Sequence, residues 1–184
     1  MRSDDELYRS FLAGDTDSYD ELMIRYGNSL VFYLNGYIHD IQDAEDLMIE
    51  AFARIMVKRP RIREGSFKAY LYRTARNLAS RFHEKHTHVK IFGFEELNKE
   101  VADTVLTEDV LADINKKEAL HLCLERIEPS LKEALWLFYF EELSYAQIGE
   151  VMGLRSKQVD HLLSKAKEEM RKEMIKEGYA NAHE

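Results

Sequence analysis

The sequence contains few of the residues that break helices or cross-link chains. Its 184 residues include two prolines, eight glycines and one cysteine. Together with many Leu, Glu, Lys and Ala residues, this scarcity predicts an all-α chain. The chain is long enough for one or two domains. The lone Cys123 has no partner for an internal disulfide, which favours a buried thiol in a cytoplasmic protein.

Long hydrophobic runs are missing as well. The longest, Ala134–Phe140, is far shorter than the roughly 20 residues that a membrane-spanning helix needs. The chain begins Met-Arg-Ser-Asp-Asp-Glu, with no apolar signal segment. We therefore expect a cytoplasmic protein without membrane insertion. No nucleophile–base pair and no glycine-rich phosphate loop is recognisable, so the sequence gives no basis for enzymatic activity or a cofactor.

Charge is distributed in blocks. The formal net charge is −8, yet residues 54–90 carry 11 basic against 2 acidic side chains. The neighbouring segments are acidic, with net charges of −9 over 1–53 and −6 over 91–115. Such alternation favours separate surfaces for separate partners, or acidic segments that shield the basic one.

The basic segment also carries aromatic residues, namely Phe67, Tyr70, Tyr72 and Phe82. Lys and Arg side chains attract phosphate, and aromatic rings stack on unpaired bases. The composition therefore suits DNA that is being opened. A solvated helix face with core aromatics is the alternative, and composition alone favours neither.

Helix signals divide the N-terminal half into four helices. The capping-box spacing of Ser3 and Glu6 predicts a first helix that stops at Gly14. A second, amphipathic helix follows, which Gly27 and Gly36 are expected to bend or interrupt.

The third helix is predicted to begin near Asp40, with an inward face of Leu47, Met48, Ala51, Phe52 and Ile55. Most of its acidic residues lie off that face and form an acidic rim of Asp43, Glu45, Asp46 and Glu50. After a loop at 58–65, Ser66 caps a fourth helix over 67–83. Its inward face is predicted to hold Tyr70, Leu71, Thr74, Ala75 and Leu78.

The C-terminal half follows a stretch without clear periodicity. We predict a linker over 84–106, with one helical turn at Phe94–Leu97, and then a helix capped by Thr107. Pro129 opens the next helix, at a position where proline is tolerated.

A helix-turn-helix spacing closes the sequence. Ser144 and Gln147 form a second capping box before a short helix over 145–152, and Gly153 suits the tight turn. A long helix then runs from about Ser156 to Glu177. The predicted shared core contains Ile148, Met152, Leu154, Val159 and Leu163.

Three blocks, in order, resemble bacterial sigma factors of the extracytoplasmic-function (ECF) type. The first is Asp-Ala-Glu-Asp-Leu at 43–47, which resembles the family's polymerase-binding helix. The second is Ser-Phe-Lys-Ala-Tyr-Leu-Tyr-Arg-Thr-Ala-Arg-Asn-Leu-Ala at 66–79, and the third is the helix-turn-helix start at 143–154. The likeness covers about residues 8–88 and 116–175.

The resemblance implies two small helical domains, 1–88 and 107–184, joined by a flexible linker over 89–106. The stretch Lys85–Thr107 would thread toward the polymerase active-site channel. It implies core RNA polymerase, through its β′ clamp helices and β flap, and promoter DNA as partners. Polymerase contacts would come from Asp43, Glu45, Asp46, Leu47, Ile49 and Glu50. Contacts to the minus-ten box would come from Arg61, Arg63, Phe67, Lys68, Tyr70, Arg73, Arg76, Asn77 and Arg81. Contacts to the minus-thirty-five box would come from Ser144, Arg155, Ser156, Lys157, Gln158, His161 and Lys165.

The chain departs from the family pattern at four positions. Ile49 stands where glutamine is usual, and Tyr70 where tryptophan is usual. Asp160 and Leu162 occupy recognition-helix positions that usually carry Lys or Arg. A carboxylate beside phosphates weakens binding. We therefore expect the C-terminal domain to need polymerase, or another tethering partner, for firm DNA binding; an anti-sigma factor is a further candidate partner.

Two other functions compete with this interpretation. A stand-alone helix-turn-helix regulator would leave the acidic rim of the third helix without a role. A metal-binding regulator would use the cluster of His83, His86 and His88. The helix dipole explains histidines near a helix C-terminus without a metal, so a metal site is the weaker alternative.

Overall fold

The computed structural model describes residues 1–86, 123–124, 126–176 and 178. These residues form seven α-helices and no strand, which confirms the predicted all-α fold. The chain divides into two compact units, one built mainly on α1–α4 and the other mainly on α5–α7. The predicted linker 89–106, its turn at Phe94–Leu97 and the helix start at Thr107 lie outside the described residues.

The first unit begins with α1 (Asp4–Leu12) and α2 (Thr16–Ile38). The predicted capping box is present, because the Ser3 side chain accepts from the Glu6 backbone and the Glu6 side chain accepts from Ser3. Gly14 ends the helix with a φ of +112°, a left-handed conformation that favours glycine. The expected interruption of α2 is wrong, since the helix runs through Gly27 and Gly36 without a break.

Helix α3 (Ile41–Lys58) begins where predicted, because the Asp40 side chain accepts from the backbone amides of Gln42 and Asp43. It packs along α2, and the Tyr19 hydroxyl donates to the Phe52 carbonyl at 2.6 Å. Four of the five residues predicted to face inward are buried, and Met48 is half-buried.

Helix α4 (Phe67–His86) packs on α2 and α3. Leu71, Ala75 and Leu78 are buried as predicted. Tyr70 and Thr74 are only half-buried, and the fully buried aromatic residues are Phe67 and Tyr72. The core therefore lies slightly to one side of the predicted face.

The second unit contains α5 (Pro129–Tyr139), most of α6 (Tyr145–Met152) and α7 (Ser156–Lys176). Pro129 opens α5 as predicted, and α5 packs against α7. The second capping box is present, because Gln147 N donates to Ser144 Oγ at 3.3 Å and Ser144 N donates to Gln147 Oε1 at 2.9 Å. Gly153 takes the turn with a φ of +72°.

Gly149 is the point of closest packing in the helix-turn-helix. The amide of Leu154 donates to the Gly149 carbonyl at 2.9 Å. A Cβ atom at position 149 would lie 2.5 Å from the Leu154 carbonyl oxygen. Only glycine fits here without displacing the backbone after the turn.

Candidate functional site

The exposed side of α3 combines acidic and apolar side chains. Glu45, Asp46 and Glu50 are exposed, and Asp43 is half-buried. Glu50 also accepts from Arg54 Nη2 at 2.6 Å, an exposed pair one helical turn apart. These four carboxylates, Asp43, Glu45, Asp46 and Glu50, are called the acidic surface below.

Apolar residues continue the same side of the helix. Ile49, Met56 and Val57 are 53%, 41% and 81% exposed, although large aliphatic side chains normally lie inside. Their spacing of seven and eight residues places them on one face. Of these residues, only Ile49 was predicted as a contact. Met56 and Val57 were not predicted, although an apolar period offset from the buried face indicates them. We call Ile49, Met56 and Val57 the apolar stripe.

Leu47, predicted as a polymerase contact, lies in the core and not on the exposed side of α3. Leu47 is 7% exposed and packs in the core of the first unit. It repeats with Ala51 and Ile55, which are also buried. The prediction that Leu47 contacts a partner is therefore corrected: it orients α3 from inside.

The loop between α3 and α4, residues 59–66, lies against α1. The Tyr8 hydroxyl donates to the Pro60 carbonyl at 2.7 Å. The Gly65 amide lies 2.9 and 3.0 Å from the two carboxylate oxygens of Asp5. The predicted DNA contacts Arg61 and Arg63 are exposed. Between these contacts lies a cavity of about 130 Å³, lined by Asp5, Tyr8, Arg9, Leu12, Arg61, Ile62, Glu64 and Phe67.

Aromatic side chains add to the contacts between α1 and the loop 59–66. The rings of Tyr8 and Phe67 lie 5.3 Å apart, and the Arg59 guanidinium lies 5.0 Å above the Phe11 ring. Burial raises the pKa of the Tyr8 hydroxyl to about 12, with a smaller contribution from nearby Tyr70. Tyr8 therefore stays protonated at neutral pH and serves as a donor to the loop.

Helix α4 presents its predicted DNA contacts in two rows. The outward row contains Tyr70, Arg73, Asn77 and Arg81, spaced three or four residues apart; Tyr70 is half-buried and the others are exposed. We call these four residues the outward row.

The second row, Lys68 and Arg76, packs against tyrosine rings. The Lys68 ammonium lies 5.4 Å from the Tyr26 ring centroid, and Arg76 Nε donates to the Tyr37 hydroxyl at 3.2 Å. Both cations are half-buried. Phe67 belongs to neither row. At 1% exposure it is a core residue, and its prediction as a DNA contact is corrected.

The second unit exposes the first turns of α7. Arg155, Ser156, Lys157, Gln158, Asp160, His161 and Lys165 are all exposed, while Val159 and Leu163 are buried. Two predicted contacts already have partners in the chain. Gln158 Oε1 accepts from the Arg155 amide at 2.8 Å, and the Lys165 ammonium lies 3.4 Å from a Glu128 carboxylate oxygen. Ser144 is exposed and caps α6.

The first unit therefore holds the acidic surface, the apolar stripe, the loop 59–66 and the outward row, and the second unit holds the exposed face of α7. In the described part of the chain, no three metal-binding side chains gather into a site. His88 and the His86 side chain lie outside that part, so the histidine cluster stays a prediction. None of the helices in the described ranges is long and apolar enough to cross a bilayer.

Comparisons with known proteins assign these regions to families. The family described as Sigma-70 region 2 matches residues 22–89, and the family described as Sigma-70, region 4 matches residues 117–170. The ECF RNA polymerase sigma factor SigW of Bacillus subtilis is 25% identical over 170 residues, which cover 88% of this chain and 91% of SigW.

Two further similarities extend over most of the chain. The RNA polymerase sigma factor YlaC of B. subtilis is 28% identical over 165 residues, covering 87% of this chain and 94% of YlaC. Among solved structures, a chain of the RsbN–BldN complex is 20% identical, with coverage of 90% of this chain and 97% of that one and a TM-score of 0.38.

Proposed function

Because this chain belongs to the sigma-70 family, as a sigma factor of the ECF type that binds core RNA polymerase and directs transcription initiation at promoters, we propose how its surfaces divide that work. The exposed side of α3 docks on polymerase. The loop 59–66 and the outward row of α4 open and read the minus-ten box. The start of α7 reads the minus-thirty-five box.

The observation that carries this proposal is the exposed side of α3. Carboxylates complement basic residues on a partner, and exposed aliphatic side chains gain from burial in an interface. The acidic surface and the apolar stripe provide both on one helix. We assign this side of α3 to the clamp helices of the polymerase β′ subunit.

A pair of matched substitutions tests the apolar part. Val57 is 81% exposed on α3, and Ile24 is 83% exposed on α2. Val57→Ser should weaken core polymerase binding on the order of ten-fold, while Ile24→Ser should leave it unchanged. Affinity measured with purified core enzyme checks this, and equal losses in both variants would contradict docking through the apolar stripe.

Charge reversal tests the acidic part. Asp46→Lys should weaken core binding, and more strongly at low salt, because the interaction is screened as ionic strength rises. Asp20→Lys, at an exposed carboxylate of α2, is the control. An unchanged affinity and salt dependence in Asp46→Lys, with circular dichroism also unchanged, would remove the acidic surface from the interface.

Promoter opening is assigned to the exposed polar residues of α4. In this proposal Arg73 binds phosphate and Asn77 hydrogen-bonds an unpaired base, and both are exposed on the outward row. Arg73→Ala and Asn77→Ala should lower the permanganate reactivity of unpaired promoter thymines and leave core binding intact. Lys85→Ala, at an exposed cation near the end of α4, should lower reactivity little.

In this assignment polymerase performs the chemistry, and the chain supplies positioning and strand capture without catalysis of its own. It acts in the cytoplasm, where core polymerase works. An anti-sigma factor would compete for the same surfaces, and this partner is part of the proposal.

A further inference from the structure

We propose that α1 positions the loop 59–66 for promoter opening, through the Asp5 carboxylate and the Tyr8 hydroxyl. This inference rests on the function proposed for the loop. Asp5 and Tyr8 lie three residues apart on one face of α1. They hold the two ends of the loop, at Gly65 and Pro60.

The contacts fix the backbone of the loop. Gly65 has a φ of +72°, a left-handed conformation, and its amide donates to Asp5 at 2.9 Å. At the other end, the Tyr8 hydroxyl donates to the Pro60 carbonyl at 2.7 Å. With both ends held, the middle of the loop lies at the surface, where Arg61 and Arg63 are exposed.

Ordering the loop in advance has a kinetic consequence. A free loop loses conformational entropy when it captures a strand, because each residue that becomes fixed loses backbone freedom. A loop already held by α1 avoids part of that loss. Asp5 and Tyr8 are thus positioning residues that act through Arg61 and Arg63, without touching DNA themselves.

The sign of the Asp5 effect separates this role from simple electrostatics. A carboxylate beside a DNA-binding loop repels phosphate, so its removal should favour DNA if charge alone mattered. Positioning predicts the opposite, because the Gly65 amide loses its acceptor. Asp5→Ala should therefore slow promoter opening on the order of five-fold, the effect of one lost hydrogen bond.

The test uses holoenzyme assembled from core polymerase and the full chain, on a promoter that the unmodified holoenzyme opens. Asp5→Ala and Tyr8→Phe should slow the appearance of permanganate-reactive thymines, with core affinity unchanged. Asp5→Asn keeps an acceptor oxygen, so it should open the promoter at least as fast as the unmodified chain. Asp20→Ala removes an exposed carboxylate of α2, outside the loop, leaves the Asp5–Gly65 contact in place and should not slow opening.

The outcomes separate two failures. If Arg61→Ala and Arg63→Ala slow opening while Asp5→Ala and Tyr8→Phe do not, α1 has no positioning role and the inference is overturned. Failure of Asp5→Asn to restore opening would also overturn it. If the arginine variants open normally, the function proposed for the loop is wrong. Circular dichroism of each variant shows whether α1 remains folded.

Discussion

Gly149 and Gly27 should respond in opposite ways to the same change to alanine. Both lie inside helices and both are buried. In Gly149→Ala the new Cβ would lie 2.5 Å from the Leu154 carbonyl oxygen. In Gly27→Ala the nearest atom is the Met48 sulfur at 3.9 Å, an ordinary contact with a flexible side chain.

The magnitudes follow from two opposing terms. Alanine in place of a helical glycine contributes about 0.5–1 kcal/mol of stability. Overpacking a tight site typically costs about 1–3 kcal/mol. The carbonyl of Leu154 belongs to the backbone after the turn, whose amide is tied to Gly149 by a 2.9 Å hydrogen bond, so it has little freedom to retreat. We expect Gly149→Ala to lose about 1–2 kcal/mol and Gly27→Ala to gain up to about 1 kcal/mol.

Urea unfolding measures both effects. Trp136 is the only tryptophan of the chain and is buried in α5, so its fluorescence reports on the second unit. Far-ultraviolet circular dichroism follows the helices of the first unit as well. The Gly149→Ala transition should occur at lower urea with an unchanged slope, and its promoter binding should weaken. A Gly149→Ala variant as stable as the unmodified chain would refute the steric argument, and so would equal destabilisation by Gly27→Ala.

Three further predictions concern single side chains. Asp160→Lys should raise nonspecific DNA affinity and steepen its salt dependence by about one unit of slope, measured by titration of duplex DNA at several salt concentrations; unchanged affinity would place Asp160 away from the phosphates. Tyr8 holds its proton in the folded state up to a pKa of about 12, against 10 when unfolded, so the first unit should lose stability as pH rises above 10. Thermal unfolding of Tyr8→Phe at rising pH should show a shallower loss, partial because burial also raises the pKa values of Tyr19 and Tyr26. Ser144→Ala should destabilise the second unit by about 1 kcal/mol through loss of the α6 cap, measured by Trp136 fluorescence in urea.

Helix starts were predictable because their signals are local. The capping boxes at Ser3 and Ser144 each lie within four residues, and both form as predicted. Pro129 opens α5 for the same kind of reason, since its missing amide is harmless in a first turn. The continuity of α2 was not predictable in this way. The helix continues through Gly27 because α2 packs against α1, α3 and α4, and these contacts form only in the tertiary structure.

The side of a helix that faces the core was less predictable, because the spacing of apolar residues along a helix does not by itself show which side is buried. The sequence of α4 has apolar and aromatic residues on adjoining faces, and only packing against α2 and α3 decides which face is buried. In the structure this packing buries Phe67 and Tyr72 and leaves Tyr70 half-buried. The contacts of α1 with the loop were beyond prediction, because Asp5 and Gly65 lie 60 residues apart in the sequence.

The sequence of the basic segment, residues 54–90, also does not show which of its cations are available to bind DNA. A count of side chains treats every cation of 54–90 as available to phosphate. In the structure Arg54 pairs with Glu50, Arg59 lies over Phe11, and Lys68 and Arg76 lie against tyrosines. Besides Arg59, the exposed cations at the loop and the outward row are Arg61, Arg63, Arg73 and Arg81. The tyrosine-bound pair still holds α4 against α2, so part of the positive charge that sequence analysis assigned to DNA instead fixes the helix from which the DNA contacts project.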